Sequence, residues 1–233
     1  MVSETRVGGE LLRTLKVAIE AKRRQIQEGI LLWAGTNSPH YPWRQAGKTP
    51  YQVFIGEFWL KETVPETAIQ LYERFLHVFF TFRALAAAGE DELKDMLADF
   101  RLEEHAGNLK LAVQCLLEAG RGGLPGDSEA YLRICGFENH SIRVIMCFGY
   151  DLPVAVVDAN VSRMISRIFK TTLPSRPSPG LLQTVAESLP PERDPQRYNS
   201  GLLDLSELIC QEKVPVCVRC PVVQACDQAL SVS

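Results

Sequence analysis

Apolar residues recur every three or four positions through most of the chain, which is the spacing of a helix with one buried face. The clearest stripe, in residues 103–119, consists of Leu109, Ala112, Val113, Leu116 and Leu117. Prolines and glycines separate this segment from others of the same kind. The pattern predicts helices at 10–33, 51–62, 65–80, 83–88, 91–98, 103–119, 128–134, 140–149, 159–169, 180–189 and 197–210.

Strict alternation of apolar and polar positions, the pattern of a strand, is nearly absent, and only Val154 to Val157 is a candidate. We therefore expect an all-α fold. A chain of 233 residues, of which 46% are hydrophobic, is long enough for one domain or two small ones. Since no apolar run reaches membrane length and no charged-then-apolar leader is evident, we expect a soluble cytoplasmic protein, associated with the nucleoid if the host is prokaryotic.

Four of the seven cysteines lie near the C-terminus in the spacing C-x6-C-x2-C-x5-C: Cys210, Cys217, Cys220 and Cys226. Four thiolates are typical of iron-sulfur clusters, and the x2 pair lets one tight loop present two sulfurs to the same centre. We therefore predict a 4Fe-4S cluster. A structural zinc, which usually takes two C-x2-C pairs, and a disulfide framework are the alternatives. We interpret the three other cysteines, Cys115, Cys135 and Cys147, as buried thiols.

The net charge of −3 argues against non-specific coating of nucleic acid. The charge is uneven, because residues 1–49 hold eight Lys or Arg and four acidic residues, whereas the rest of the chain holds 17 and 24. Contact with a polyanion must therefore be local. One candidate is the run from Lys22 to Arg24, for which a solvated helix face is at least as good an interpretation. The others are Lys213 and Arg219, which lie between the clustered cysteines.

The order of five segments resembles the helix-hairpin-helix DNA glycosylase superfamily that contains endonuclease III. The segments are PWR (Pro42 to Arg44), TPYQVFIGEFWLKET, the predicted helix-turn-helix at 128–149, VVDANVSRMISRIF and the cysteine loop. Glu57, the VDAN tetrad and the approach LLDLSELIC are most similar to the adenine (A·G) and thymine (G·T) mismatch glycosylase branches.

The resemblance covers about residues 30 to 227 and implies two helical lobes. Residues 50–157 would form a six-helix barrel domain that contains the helix-hairpin-helix. Residues 1–49 together with 158–233 would form the domain with the 4Fe-4S cluster, which in the family is a structural and DNA-binding element.

Two acidic residues are candidates for catalysis. The resemblance places Asp158 beside the base-binding pocket, where a carboxylate stabilises the positive charge that forms on the sugar when the N-glycosidic bond breaks. By its position alone, Asp158 is also a good N-cap, and both roles can hold together. Glu57 is the only acid among its apolar neighbours, so we expect burial to keep it protonated as a general acid, matching the catalytic glutamate of the adenine branch. The alternative is an exposed Glu on a polar helix face.

His140 occupies the position at which endonuclease III-type members carry a lysine that forms a Schiff base and cleaves the strand. No lysine lies between Lys110 and Lys170. The resemblance therefore implies a monofunctional glycosylase that leaves an abasic site. The adenine and thymine branches carry serine and tyrosine at this position, so His140 matches neither. We expect His140 beside the pocket, in contact with the flipped base or the sugar.

Excision from a duplex requires the target nucleotide to be flipped out of the helix. The resemblance therefore implies that the partner is double-stranded DNA with a flipped base, and that the protein is a monomer. The family's intercalating segment corresponds to Trp59, Lys61 and Glu62. Lys61 is the candidate wedge, and for Trp59 a position in the core is the stronger interpretation. Lys213 and Arg219 correspond to basic residues of the cluster loop that contact the DNA backbone.

The hairpin departs from the family pattern L-P-G-V-G, whose glycines let backbone N–H groups approach a phosphate closely. The corresponding residues here are Ile134-Cys135-Gly136-Phe137-Glu138. Gly136 is kept, and Gly136 and Phe137 are candidate DNA contacts. Glu138 brings a side chain and a negative charge to a glycine position.

These features predict a glycosylase for a mispaired or modified base. Thymine or uracil opposite guanine, or a modified pyrimidine, is favoured over adenine opposite guanine or 8-oxoguanine, because the adenine branch normally carries an extra C-terminal domain and only seven residues follow Cys226. One alternative is a weak or inactive module that binds distorted DNA, which the residues at 138 and 140 suggest. Another is an electron-transfer protein, which only the cysteine loop suggests.

Overall fold

The computed structural model describes residues 2–37, 41–119 and 138–231, without the side chains of residues 2–8 and 119. This part of the chain contains α-helices, 3-10 turns and one π-helix but no strand, so the expected all-α fold is confirmed. None of its helices is both long and apolar enough to cross a membrane. The α-helices are α1 (Val2–Asn37), α2 (Pro50–Glu62), α3 (Pro65–Val78), α4 (Phe82–Ala87), α5 (Glu90–Ala98), α6 (Ala106–Ala119), α7 (Asn139–Val144), α8 (Ala159–Ile168), α9 (Pro179–Glu187), α10 (Pro195–Leu208) and α11 (Asp227–Leu230).

The predicted helices are present wherever the structure describes the chain, with three differences in detail. The segment predicted as 103–119 begins with a 3-10 turn at Glu103–His105. The segment predicted as 140–149 is α-helical in α7 and continues as a π-helix at Ile145–Gly149. Residues 154–157 form no strand. The first helix and turn of the predicted hairpin, with Gly136 and Phe137, lie outside the described residues.

The chain divides into two compact units. The terminal unit is Met1–Pro39 with Leu152–Ser233, and the central unit is His40–Asp151. These limits differ from the predicted boundaries at residues 40–49, which belong to the central unit, and at residues 152–157, which belong to the terminal unit. In each case the segment is fastened to its unit by a fully buried side chain.

Trp43 fastens the first of these segments to the central unit. The indole lies flat on Gly56 of α2, where an added Cβ would meet the ring at 2.0 Å. Trp43 also packs against Tyr72 of α3, with ring centroids 5.2 Å apart and the rings tilted by 53°. A residue larger than glycine at position 56 would therefore displace the indole. The 3-10 turn Pro42–Arg44, which contains Trp43, would be displaced with it.

Trp59, predicted among the DNA-binding residues, is a core residue. Its side chain is fully buried, with the Phe58 and Phe75 rings at centroid distances of 4.9 and 5.1 Å. It lies on the inner face of α2, where the apolar residues of that helix pack on α3. The DNA contact predicted for Trp59 is therefore corrected to a packing role.

The start of α2 is fixed by local chemistry. The Thr49 hydroxyl accepts a hydrogen bond from the Gln52 backbone N–H at 3.3 Å, and the Gln52 side chain accepts one from the Thr49 N–H at 2.9 Å. This reciprocal capping, with Pro50 as the first helical residue, satisfies backbone donors that the helix leaves free. The end of the π-helix meets this start, since a Cβ on Gly149 would lie 2.8 Å from the Pro50 Cα.

The terminal unit is built on the packing of α1 against α10. Ile26 and Ile30 of α1 are fully buried, and a Cβ on Gly201 of α10 would lie 2.7 Å from the Cβ of Ala34. The two helices thus approach closely at glycine. Helix α8 adds an amphipathic face whose buried positions recur at helical spacing: Val161, Met164, Ile165 and Ile168.

Asn199 of α10 fastens residues 152–157 to the terminal unit. Its side chain is fully buried. The amide oxygen accepts a hydrogen bond from the Val156 N–H at 2.8 Å, and the amide nitrogen donates to the carbonyl oxygens of Val154 at 3.0 Å and Pro195 at 2.9 Å. Two backbone groups of the segment that leads to Asp158 are therefore satisfied by this side chain, and those of Ala155 by Glu187 and Gln183 of α9.

Replacing Asn199 by alanine should lower the free energy of unfolding by about 2 kcal/mol, because the Val156 N–H and the Val154 carbonyl lose their side-chain partner. Chemical denaturation monitored by circular dichroism measures the change. Asn139→Ala, at an exposed position, is the matched control and should stay within about 0.5 kcal/mol of the parent. Equal unfolding free energies for the two variants would contradict this account of the segment.

Candidate active site and cysteine loop

Glu57 is held by three hydrogen bonds inside the central unit. The Trp43 indole N–H and the Arg44 Nε donate to Oε1 at 2.8 and 2.7 Å, and an Arg44 terminal nitrogen donates to Oε2 at 3.1 Å. The side chains of Arg44 and Glu57 are only 10% and 13% exposed. The pair is therefore a bidentate ion pair largely removed from water.

The protonation expected for Glu57 is corrected by this ion pair. Burial alone would raise the pKa of Glu57, but the charge of Arg44, the hydrogen bonds from Arg44 and Trp43 and the charge of His140 together bring the pKa below its ordinary value. Glu57 is therefore an ionised carboxylate at neutral pH. The prediction of a protonated general acid was wrong because it considered only the apolar neighbours along α2, not the cation 13 residues earlier.

Aromatic rings enclose the cation. The Arg44 guanidinium lies 4.8 Å from the centroid of the Tyr41 ring and 5.8 Å from that of Phe148. Such contacts stabilise a guanidinium that has lost water. The sequence analysis used Arg44 only as part of a motif, and its role as the partner of Glu57 depends on a tertiary contact that no local pattern indicates.

A cavity of about 410 Å³ lies beside Glu57 in the central unit. The described part of its wall combines the rings of Phe54 and Phe58 with polar groups of Glu57, Asn108 and Ser141. An apolar wall with a few placed polar groups is the usual composition of a site for a small planar ligand. Asn108 and Ser141 were not singled out from the sequence, because neither residue belongs to a recognisable motif.

The two polar residues predicted on the intercalating segment are both paired within the central unit. Lys61 contacts Glu138 at 3.2 Å, and Glu62 contacts Nδ1 of His105 at 3.2 Å. The three side chains other than His105 line the same cavity, and Lys61 is 59% exposed. Exposed ion pairs contribute little stability, so the Lys61 amine can exchange its carboxylate for another anion at small cost.

His140 lies half-buried on the first turn of α7. Its charge is among the causes that lower the pKa of Glu57, which places it within electrostatic reach of that carboxylate. The structure therefore brings together two of the three residues predicted as catalytic, Glu57 and His140, in the central unit.

Asp158, the third predicted catalytic residue, is the N-cap of α8 in the terminal unit. One carboxylate oxygen accepts a hydrogen bond from the Val161 N–H at 2.7 Å, and the side chain is half-buried. The expected capping role is thus observed directly. The cap fixes the direction of the carboxylate and places its negative charge at the positive end of the helix.

Two arginines of α8, which the sequence analysis did not single out, bind the start of the cysteine loop. Arg163 donates to the carbonyl oxygens of Cys210 at 3.1 Å and Ser206 at 2.9 Å. Arg167 donates to the Cys210 carbonyl at 3.0 Å, to its sulfur at 3.3 Å and to two further loop carbonyls. The loop is therefore held by guanidinium groups at the C-terminal end of α10, where carbonyls lack helical partners.

The four clustered cysteines are neighbours in the terminal unit. Burial raises the pKa of Cys220 to about 11. The charges of Cys210, Cys226 and Cys217 add to this increase, and a backbone hydrogen bond at Val222 opposes it. No three His, Cys, Asp or Glu side chains among the described residues are spaced to hold one metal ion. The donor set itself, four sulfurs without a carboxylate or imidazole, suits a thiolate-ligated iron centre.

The remaining predictions for cysteines and loop cations have separate outcomes. Cys147 is a buried thiol outside any disulfide, as expected, whereas Cys115 is disulfide-bonded, which corrects its interpretation as a thiol. Cys115 is half-buried on α6 rather than enclosed, so a second sulfur can reach it. Cys135 lies outside the described residues. Lys213 and Arg219 are exposed on the loop, as a contact with a polyanion requires.

The sequence is similar to known proteins over most of its length. Residues 61–187 match the family described as HhH-GPD superfamily base excision DNA repair protein. The chain is 26% identical over 216 residues to the thymine-DNA glycosylase of Aeropyrum pernix, covering 91% of this chain and 95% of that protein. It is 26% identical over 192 residues to the adenine DNA glycosylase of Mycolicibacterium smegmatis, covering 82% of this chain and 66% of that protein.

The fold is also similar to solved structures. The structure of a thermostable thymine-DNA glycosylase superposes with a TM-score of 0.81 at 25% identity, over 92% of this chain and 99% of that one. A trapped endonuclease III-DNA covalent intermediate superposes with a TM-score of 0.69 at 15% identity, over 91% and 97%. The second likeness concerns the fold alone.

Glu57→Gln should lower the free energy of unfolding by about 3 kcal/mol at pH 7, because it leaves the buried Arg44 charge without its counterion. The lowered pKa makes this contribution present above the ordinary carboxyl pKa and lost as the pH falls through the folded-state value. Denaturation at several pH values should therefore show a constant difference above about pH 5 that shrinks on acidification below about pH 4.

The matched controls for this prediction are Arg44→Met and the double variant. The double variant should lose less stability than the sum of the two single changes, because it removes both charges. A difference between parent and Glu57→Gln that is the same at acidic and neutral pH would refute the ionised state of Glu57.

Proposed function

Because this chain belongs to the HhH-GPD superfamily of base excision DNA repair proteins, we propose that it is a monofunctional DNA glycosylase. It hydrolyses the N-glycosidic bond of thymine or uracil opposite guanine, or of a modified pyrimidine, in double-stranded DNA, and leaves an abasic site. The observation that carries the proposal is Asp158, a half-buried carboxylate that its own helix holds in a fixed direction.

The role of Asp158 follows from the charge that the reaction creates. When the bond from C1′ of the deoxyribose to the base breaks, the sugar gains oxocarbenium character. A carboxylate fixed before the reaction stabilises that charge without having to reorganise. The cap bond to the Val161 N–H supplies this preorganisation, because rotation of the carboxylate would break it.

The absence of strand cleavage is supported by the lysines of the central unit. A Schiff base requires an amine at the sugar, and His140 stands where the lyase members carry that lysine. Of the four lysines described in this unit, Lys61 and Lys94 are paired with Glu138 and Glu90, the Lys110 amine donates to the Ala88 carbonyl at 2.7 Å, and Lys48 lies just before the start of α2.

The choice of base is supported by the relatives that match over nearly their whole length. Besides the Aeropyrum protein, the thymine/uracil-DNA glycosylase of Methanothermobacter thermautotrophicus is 26% identical over 211 residues, covering 90% of this chain and 95% of that protein. The adenine DNA glycosylase matches over two thirds of its length or less. Action on adenine opposite guanine or 8-oxoguanine is therefore the second candidate.

We also propose that Cys210, Cys217, Cys220 and Cys226 ligate a 4Fe-4S cluster. Burial and the charges of the three other cysteines raise the pKa of Cys220, and a bound cationic centre would deprotonate and neutralise these thiols. When bound, the cluster supplies a covalent cross-link of the loop rather than a step of the reaction. The exposed Lys213 and Arg219, together with Lys61, then contact DNA phosphates. The protein binds this DNA as a monomer.

Asp158→Asn should lower single-turnover release of the base by on the order of 100-fold or more, because it removes the charge that faces the developing cation. Asparagine caps a helix as well as aspartate does, so thermal unfolding should change little. The measurement uses labelled duplexes with T·G, U·G, A·G and modified-pyrimidine sites, followed by alkaline cleavage of abasic sites. Asp151→Asn, at an exposed position, is the control and should keep the parental rate.

The same panel separates the alternatives. Strand breaks without alkali would contradict a monofunctional enzyme. Tight binding of mismatched duplex without release of any base would show that the protein is a binding module and not an enzyme. The acidic residue Glu138 at the hairpin is the specific reason to test this alternative. Release of adenine alone would favour the second candidate base.

Cys220→Ala should yield protein with less than the parental iron and acid-labile sulfide and with weaker thiolate-to-iron charge-transfer absorbance, because the cluster loses one of four ligands. Cys147→Ala, at a buried cysteine outside the loop, is the matched control and should retain the parental iron. A colourless parent protein that contains zinc instead would overturn the proposed cluster.

A further inference from the structure

A cavity of about 250 Å³ lies between α1 and α9 of the terminal unit. The described part of its wall is mostly apolar and contains no residue assigned above to catalysis or to the cysteine loop. Its apolar side chains come from both helices: Leu12, Leu15, Ile19, Leu181 and Val185. Leu15 and Ile19 are buried, whereas Leu12 is 54% exposed, so apolar surface continues from the cavity to the outside of α1.

A hydrogen bond next to the cavity fixes the distance between its two walls. Gln27, about one helical turn beyond Arg23 on α1, donates from its side-chain nitrogen to the Leu189 carbonyl at 2.7 Å. Leu189 directly follows Ser188, which belongs to the opposite wall. The cavity is therefore a built feature of the terminal unit, and a ligand that enters it does not have to separate the helices.

Arg23 brings an unsatisfied donor to this cavity. Its Nε is buried and has no hydrogen-bond partner among the described residues. The carboxylate of Glu20, which also lines the cavity, lies 3.6 Å from a terminal nitrogen of Arg23, too far for a hydrogen bond. Because buried donors in proteins are nearly always paired, the Arg23 Nε indicates an acceptor that comes from outside the described chain.

The hydroxyl groups of the wall are already used as donors. Thr184 and Ser188 each donate to a carbonyl oxygen one turn earlier in the chain, at 2.9 and 3.2 Å. The donors that remain for a ligand belong to two cations, Lys16 and Arg23. These cations and the single carboxylate of Glu20 give the described wall a net positive charge, so a carboxylate is the complement that it lacks.

The size of the cavity indicates what kind of molecule carries that carboxylate. Sites for free small molecules usually enclose about 300 to 1,000 Å³, and this cavity is smaller. It suits an apolar side chain that a larger partner presents, and the exposed part of Leu12 extends the contact beyond it. An amphipathic helix in an apolar groove is a recurring mode of protein recognition. DNA phosphates fit less well, because they need cations and gain nothing from an apolar wall.

We propose that the groove between α1 and α9 docks an acidic, amphipathic helix of a partner protein. An apolar side chain of that helix fills the cavity, and a neighbouring carboxylate accepts hydrogen bonds from the Arg23 Nε and from Lys16. The docking does not involve the residues that release the base, so it adds a binding function to the proposed glycosylase.

The test uses two synthetic, fluorescein-labelled helical peptides with the same leucine stripe, one flanked by glutamate and the other by lysine. Fluorescence anisotropy with the full chain should show about tenfold tighter binding of the glutamate peptide, because only that peptide supplies the carboxylate. Arg23→Gln should weaken binding of the glutamate peptide by about tenfold and leave the lysine peptide unchanged. Release of the base by this variant should stay at the parental rate.

The matched control is Arg24→Gln, at the next residue of α1. The Arg24 side chain is 89% exposed and pairs with Glu28 at 2.7 Å, so this variant should bind both peptides as the parent does. Lys16→Gln, at an exposed position, should also weaken binding of the glutamate peptide and replaces Arg23→Gln if that variant does not fold.

Three results would overturn the docking site: equal affinities of the parent for the two peptides, no binding of the glutamate peptide at about 1 mM, or parental affinity in both Arg23→Gln and Lys16→Gln. Weaker binding of undamaged duplex by Arg23→Gln, with peptide binding unchanged, would assign the surface to DNA instead. A parent that binds the glutamate peptide but releases no base would refute the glycosylase and leave the docking site standing.

Discussion

The ion pair between Arg44 and Glu57 is the interaction on which the central unit depends. Two charges withdrawn from water persist only where the geometry is good and the remaining hydrogen-bonding positions are filled. Here the Trp43 indole, whose close approach requires a glycine at position 56, fills a position on the carboxylate, and the rings of Tyr41 and Phe148 lie near the guanidinium. The capped start of α2 then fixes the turn of the helix from which Glu57 extends.

The same ion pair determines the chemistry of the cavity beside it. A carboxylate that is ionised and saturated by donors contributes charge and position, and any proton must come from elsewhere. The cavity wall beside it holds other polar side chains, among them Asn108 and Ser141.

Much of the architecture could be predicted from the sequence, because helical periodicity and proline boundaries are local signals. The family resemblance is confirmed, the all-α fold is confirmed, and the cap at Asp158 follows from a side chain placed before a regular apolar stripe. The protonation of Glu57 could not be predicted, since it depends on a partner 13 residues away in sequence that only folding brings near. The same limit applies to the arginines of α8, whose partners lie more than 40 residues later, whereas the core position favoured for Trp59 is the one it occupies.

The π-helix at Ile145–Gly149 connects two fixed points, the close approach of Gly149 to Pro50 and the turn that carries His140. In an α-helix each residue adds about 100° of rotation, and a π-helix accommodates one residue more per turn. The count of residues between the two points therefore sets the azimuth of the imidazole about its helix axis. Loss of a single residue there would swing the ring to another side of the helix while the fold around it stayed intact, so during divergence this stretch should accept substitutions far more readily than changes in length.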